Sequence, residues 1–254
     1  MLKNFLCLAL LFCLLISCAP QTKITTPATN EADVLAKYLA QNPPHDPYRL
    51  QLSIRLGLKG DTRRGTAIVW GRDTQTVRLD VQAGVGAIIA QIFADPNNFL
   101  IVAPMDAKAY THTGHNKPLL KIGVPLPLTL KNLADILLGN LPDVFGRNLT
   151  AANQKGDTIP FDLNDRLKGT IYLDGLGHVV RWDEKKGQGW VMDIAYGEDN
   201  LPAKISLANN VGQKAILVVR SRESSQDLNL APLQLSIPPG FEVLPLAKYA
   251  AKNI

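Results

Sequence analysis

The side chains that could do chemistry are few and poorly grouped. Four histidines and three cysteines occur in 254 residues, and only His112-Thr113-Gly114-His115 brings two imidazoles close in sequence. Metal-binding histidine pairs sit at i, i+2 on a strand or i, i+4 on a helix, so this pair, with no third ligand nearby, reads as a solvated turn. Gly84-Val85-Gly86, Gly175-Leu176-Gly177 and Gly187-Gln188-Gly189 are G-x-G fragments, but none opens a helix after a strand, as a phosphate cradle does. They read as turns. There is no G-x-S-x-G elbow, and the carboxylates are dispersed without an evident pair. The expectation is therefore no catalytic set, no metal site and no cofactor: a binding or structural protein rather than an enzyme.

One cysteine has a chemical context. Residues 4–17 are nearly all apolar and follow Lys3. That is too short to span a bilayer, which takes roughly 20 residues, and matches the core of a signal peptide. The run ends in Leu15-Ile16-Ser17-Cys18, which resembles the lipobox of bacterial lipoproteins, whose Cys is diacylated before the signal is cut. The resemblance makes Cys18 the lipidated first residue of the mature chain. Residues 1–17 are then a discarded signal; the other reading is an ordinary secretory signal cut beside a chance cysteine. Ala19 follows, and the absence there of the Asp that commonly retains lipoproteins in the inner membrane points to the outer one. Acyl chains contribute about 0.8 kcal/mol per buried CH₂, and two of them anchor stably where one is marginal.

With Cys7 and Cys13 in the signal, the mature chain keeps no free thiol, which removes disulfides, thiol nucleophiles and Cys-ligated metals from consideration. The net charge of +5 is mild, its basic residues are scattered, and only 6% of residues are aromatic, so no nucleic-acid surface is expected. Weak attraction to anionic lipid is the most that this charge implies.

The elements come next. Residues 18–30 read as a lipidated cysteine and flexible tether, and 31–254 as one domain. Val34, Leu35, Tyr38 and Leu39 space a short amphipathic helix, stopped by Pro43-Pro44 and Pro47. Leu50, Leu52, Ile54, Leu56 and Leu58 then alternate with polar residues as a strand with one wet face. Further strands are expected over 65–71, 76–82, 87–94 and 99–103. Leu130, Leu133, Ala134, Leu137 and Leu138 form the clearest helical stripe, capped by Thr129 and closed by Gly139. Residues 143–166 lack a period and read as a loop or excursion. Strands resume over 169–173, 178–182, 190–196, 202–208 and 215–221; 233–237 ends the pattern, and 248–254 reads as a frayed tail. About ten strands in two runs around one strong helix predict a mainly β (α+β) fold, with a single antiparallel sheet curled around that helix.

One turn is unusual. Ala83-Gly84-Val85-Gly86 puts a β-branched apolar residue at a tip, where polar residues are the rule. Val85 either folds back on the sheet or is presented outward. Together with Arg78-Leu79-Asp80-Val81-Gln82, with Val124-Pro125-Leu126-Pro127-Leu128-Thr129-Leu130, and with Leu137-Leu138-Gly139-Asn140-Leu141-Pro142, this turn resembles the LolB family of outer-membrane lipoprotein receptors and insertases. The likeness covers roughly residues 31–222. It implies an incomplete β-barrel with helices packed in and across its open side, and an apolar cavity that receives the acyl chains of lipoprotein cargo from a LolA-like periplasmic carrier. It also implies a protruding loop, here Gly84, Val85 and Gly86, that promotes insertion into outer-membrane lipid; the best-known members carry Leu where this chain has Val85. The segment 143–166 departs from the family, and Leu235-Ser236-Ile237-Pro238-Pro239-Gly240-Phe241 resembles the end of the carrier more than that of the receptor.

Acyl chains need an apolar cavity and no cofactor or nucleotide. Candidates for its lining are Leu52, Ile54, Leu56, Val69, Ile92 and Leu100 from the strands, and Leu130, Leu133 and Leu137 from the helix. The same residues would serve equally as a filled core. The resulting expectation is a monomeric, outer-membrane lipoprotein, facing the periplasm, that accepts and inserts lipoproteins. A tethered binder of another hydrophobic ligand, or a structural lipoprotein of the same fold, is the alternative.

Overall fold

A computed structural model of the chain describes residues 30–42, 46–58, 60–84, 86–113, 119, 124, 126–153, 157–165 and 167–249. Cys18, Val85, His45 and His115 lie outside the described residues. The helices and strands of the described residues belong to one compact unit, Glu31–Ile254.

Alternation of apolar and polar residues builds two antiparallel meanders. The first comprises β1 (Tyr48–Leu58), β2 (Asp61–Gly71), β3 (Val77–Ala83), β4 (Ala87–Ala94), β5 (Asn98–Ala103) and β6 (Lys108–Thr113). The second comprises β7 (Leu149–Ala151), β8 (Ile159–Leu163), β9 (Gly169–Leu173), β10 (Val179–Glu184), β11 (Val191–Tyr196), β12 (Pro202–Ala208) and β13 (Gln213–Ser224). β1 pairs antiparallel with β13 along its whole length and joins the two. β14 (Glu242–Pro245) returns to the free edge of β6 in parallel. The result is one 14-stranded sheet in the order β14-β6-β5-β4-β3-β2-β1-β13-β12-β11-β10-β9-β8-β7, curled but unclosed.

The inward positions form the core. Leu50, Leu52 and Ile54 of β1 stand opposite Val69, Ala67 and Gly65 of β2, and Leu79 and Val81 of β3 continue the layer. Among the described residues, three α-helices accompany the sheet: α1 (Glu31–Leu39), α2 (Leu130–Leu138) and α3 (Leu141–Phe145). α2 lies in the concavity against β3 and β12, with Leu130, Leu133 and Leu137 buried. Its ends are fixed by Thr129, whose hydroxyl accepts from the Asn132 amide at 3.0 Å in a capping box, and by Gly139, left-handed at φ +83°. α1 is pinned through its face: Tyr38 donates to the Gly146 carbonyl at 2.8 Å and Gln41 to the Gly177 carbonyl at 2.8 Å.

Several sequence expectations change. The segment 143–166 is not a loop: it contains the end of α3 together with β7 and β8, elements of five residues or fewer, too short to show a period. β6 was not expected, because its inward positions are Lys108, Tyr110 and His112 rather than aliphatic residues. Residues 233–237 are not a strand. A 3-10 turn at Ala231–Leu233 begins an extended crossing of the convex face, where Arg78 donates to the carbonyls of Pro232 and Gln234. At the proposed tail, Tyr249 packs edge-on against Tyr110 with ring centroids 4.8 Å apart.

Candidate functional site

The helix is shorter than the trough that holds it. Nine residues of α2 rise about 13 Å, whereas the eleven residues of β1 run about 36 Å. α2 occupies the end of the concavity near the β2–β3 turn and the close of β13, where Arg222 donates to the Leu137 carbonyl. Towards the other end the inward positions become small: Gly65, Ala83, Ala90 and Ala103. A Cβ on Gly65 would stand 2.5 Å from the Gln82 carbonyl oxygen, so the backbones of β2 and β3 approach too closely there for any side chain. The space left over is a cavity of about 980 Å³, at the upper end of the roughly 300–1,000 Å³ of small-molecule sites.

Its wall is apolar: Ile54 and Leu56 of β1, Val81, Ile89 and Ala90 of β3 and β4, and Tyr110, Leu244 and Tyr249 on the far side. Burial pushes the Tyr249 hydroxyl above its ordinary pKa, with Tyr110 and Asp106 adding to the effect, so this wall is neutral. Charge is confined to the mouth. Arg63, Arg64, Lys108 and Lys248 stand there with Asp106 and Glu242, and Lys108 pairs with Glu242 at 3.6 Å. An apolar interior with charged groups only at its entrance suits a ligand that has a hydrocarbon body and a polar head. A second cavity of about 710 Å³ lies near α2 and α3 among Gln75, Lys131, Asp143, Arg147 and Asp165. Its polar wall suits no such ligand.

Of the residues singled out from sequence, Ile54 and Leu56 line the large cavity. Leu52, Val69, Ile92, Leu130, Leu133 and Leu137 are fully buried in the packed core beside it. Leu100 is half-buried on the opposite face of β5 from Phe99 and Ile101, paired in register with Phe93 and Thr111. Gly84 and Gly86 are exposed, with φ of +53° and +90°, at the tip of the β3–β4 hairpin next to Ala83 of the cavity wall. Sequence reasoning missed Gly65, Ala83, Ala90 and Ala103. Their signal is there to be read: small residues recurring at inward positions at the same end of neighbouring strands.

No protein-family model and no curated protein matches this chain. Solved structures do. A LolA superfamily protein from Nitrosomonas europaea superposes with a TM-score of 0.52 at 10% sequence identity, over 82% of this chain and 99% of its own. A DUF1329 family protein from Desulfovibrio piger gives a TM-score of 0.54 at 10% identity, over 80% of this chain and 95% of its own. The shared property is the fold alone, which in this chain is a curled, unclosed sheet with helices against its concave side.

Proposed function

We propose that this protein binds the acyl chains of lipid or lipidated protein in the cavity between β1 and β14. The observation that carries the reading is the apolar cavity of about 980 Å³, open at a charged mouth, in a LolA-superfamily fold. Binding of this kind needs only that the cavity remove hydrocarbon from water, at about 0.8 kcal/mol per buried CH₂. No bond is made or broken, and the protein is not an enzyme.

In its finer form the proposal is an outer-membrane lipoprotein, anchored through Cys18 and facing the periplasm. It takes lipoproteins from a soluble periplasmic carrier and releases them to the membrane with the help of the Gly84-Val85-Gly86 turn. Favouring that form are the lipobox and the apolar-tipped turn in the sequence. The basic groups Arg63, Arg64 and Lys108 at the mouth favour a second form, a tethered binder of free anionic lipid.

One experiment separates them. The protein is mixed with carrier loaded with a lipoprotein, and the holder of the cargo is scored, in parallel with binding of a fluorescent fatty acid. Receptor function predicts cargo transfer, loss of transfer and of fatty-acid binding in Ala90→Phe, which fills the cavity, and cargo stranded before the membrane in Val85→Glu. Fatty-acid binding without cargo transfer selects the second form. Neither activity, with the chain folded, overturns the cavity reading.

A further inference from the structure

The two ends of the sheet are built from different chemistry. At the end away from α2's C-terminus, the tips of β12–β13, β1–β2, β3–β4 and β5–β6 stand side by side, as the strand order requires. These turns are made with left-handed backbone, at Gly212, Gly60, Gly84, Gly86 and Ala107. Three of them present apolar side chains to solvent: Val211 is 63% exposed, Leu58 56% and Met105 80%. Among the described residues, the other large apolar groups exposed to this degree are Val243, on the edge strand beside them, and Leu176, on the β9–β10 turn at the opposite end. Around the tips stand Arg63, Arg64, Lys214 and Lys108, the last paired with Glu242, with Lys186 and Lys185, the latter paired with Asp162 at 2.6 Å, at the next tip along, against Asp61, Asp106 and Glu184.

The opposite end carries one such apolar tip, Leu176, on a turn where Asp174 accepts from the amides of Leu176 and His178, and it differs in charge. Its turns are closed by aspartates: Asp73 accepts from the amides of Gln75 and Thr76, Asp95 from those of Asn97 and Asn98, and Asp199 from that of Leu201. Glu198 and Asp227 add to that acidic end. Isolated exposed apolar residues are ordinary. Apolar residues gathered on the tips of one end, within a basic ring and around the mouth of an apolar cavity, are not.

We infer that this end of the sheet docks on an anionic lipid bilayer. Leu58, Met105 and Val211 enter the interfacial layer, Arg63, Arg64 and Lys214 pair with lipid phosphates, and the acidic end faces away. Short apolar tips and flanking cations are what interfacial attachment requires, since each cation adds Coulomb attraction to the hydrophobic term. The inference rests on the cavity reading only in that the mouth then opens onto lipid.

The test places single cysteines at Leu58→Cys, Met105→Cys and Val211→Cys, with Asn97→Cys on the acidic end as reference, in the full chain. Each is labelled with a polarity-sensitive nitrobenzoxadiazole dye and reconstituted in vesicles of equal parts phosphatidylethanolamine and phosphatidylglycerol carrying a nitroxide lipid. The expected result is a blue shift and nitroxide quenching at the three tips but not at residue 97. The quenching should fall to the residue-97 level in Arg63→Glu/Arg64→Glu and in phosphatidylcholine vesicles. Equal quenching at both ends, or none at the tips, overturns the inference. So do tip probes that respond to a soluble protein and not to vesicles. Fatty-acid binding in the same samples reports the cavity separately: binding retained with unquenched tips overturns the docking alone, and quenched tips without binding overturn the cavity reading alone.

Discussion

Asp135 shows what a single buried charge does in this core. It sits on α2 with no exposed surface, paired with Lys131 Nζ at 2.5 Å and accepting from the Asn140 amide at 3.2 Å. Burial raises its pKa from the ordinary 3.8, and hydrogen bonds from Lys131, Thr74 and Asn140 offset only part of this. Between the unfolded and the folded values the native chain therefore holds the extra proton. Its contribution to stability is complete below about pH 3.8 and is lost as pH rises through the folded value. Wild type should lose stability relative to Asp135→Asn as pH climbs through that window, read as diverging urea midpoints. Such a group is invisible in sequence, where Asp135 falls on the polar side of an amphipathic stripe. Leu100 was misplaced for a related reason. Phe99-Leu100-Ile101-Val102 is a continuous apolar run, and a run without alternation carries no phase. Both faces of β5 are apolar and largely covered: Phe99 and Ile101 are buried on the inner face and Val102 on the outer.

At the scale of elements, strong periodicity was legible and irregularity was not. The stripe of α2, its Thr129 cap and the alternation of β1 appear in the structure as the sequence implies. The bulge in β13 does not show in sequence: Gln51 faces Ser221 while Leu52 faces Val219, leaving Arg220 as the extra residue. The bulge changes the phase, so Arg222 turns inward. There it donates to the carbonyls of Leu137 and Pro202 and pairs with Asp199 at 3.4 Å. A cation on the last carbonyls of α2 satisfies groups that a helix end leaves open and complements its dipole. Arg222→Met should cost about 1–3 kcal/mol in urea unfolding. Hydrogen exchange should rise at the C-terminal turn of α2 before it rises in β1. The short elements α3, β7, β8 and β14 escaped notice because each contributes too few residues for a pattern and draws its stability from neighbours.

For the whole molecule, the curled sheet around a central helix follows from two runs of alternating strands and one helical stripe. Which end stays hollow does not follow, because alternation says which face is inward and not what stands opposite. The C-terminal return decides it: β14 and Tyr249 supply the wall that turns an open trough into a cavity. Deleting residues 241–254 should leave β1–β13 folded, with an unchanged thermal midpoint to within a few degrees, and should abolish fatty-acid binding. A large fall in the midpoint would instead make the return part of the core. The joining of β1 to β13 has another consequence, in time rather than space. Within each meander every pairing is between successive strands, but Arg49 and Glu223 are 174 positions apart. Local pairings close small loops and form early; this one must wait until nearly the whole chain has emerged, and it carries the loop entropy of all that intervenes. Until then β1 is an unpaired edge with an apolar inner row. The arginines on its outer face, Arg49 and Arg55, place charge along that edge, a recognised guard against pairing with another chain.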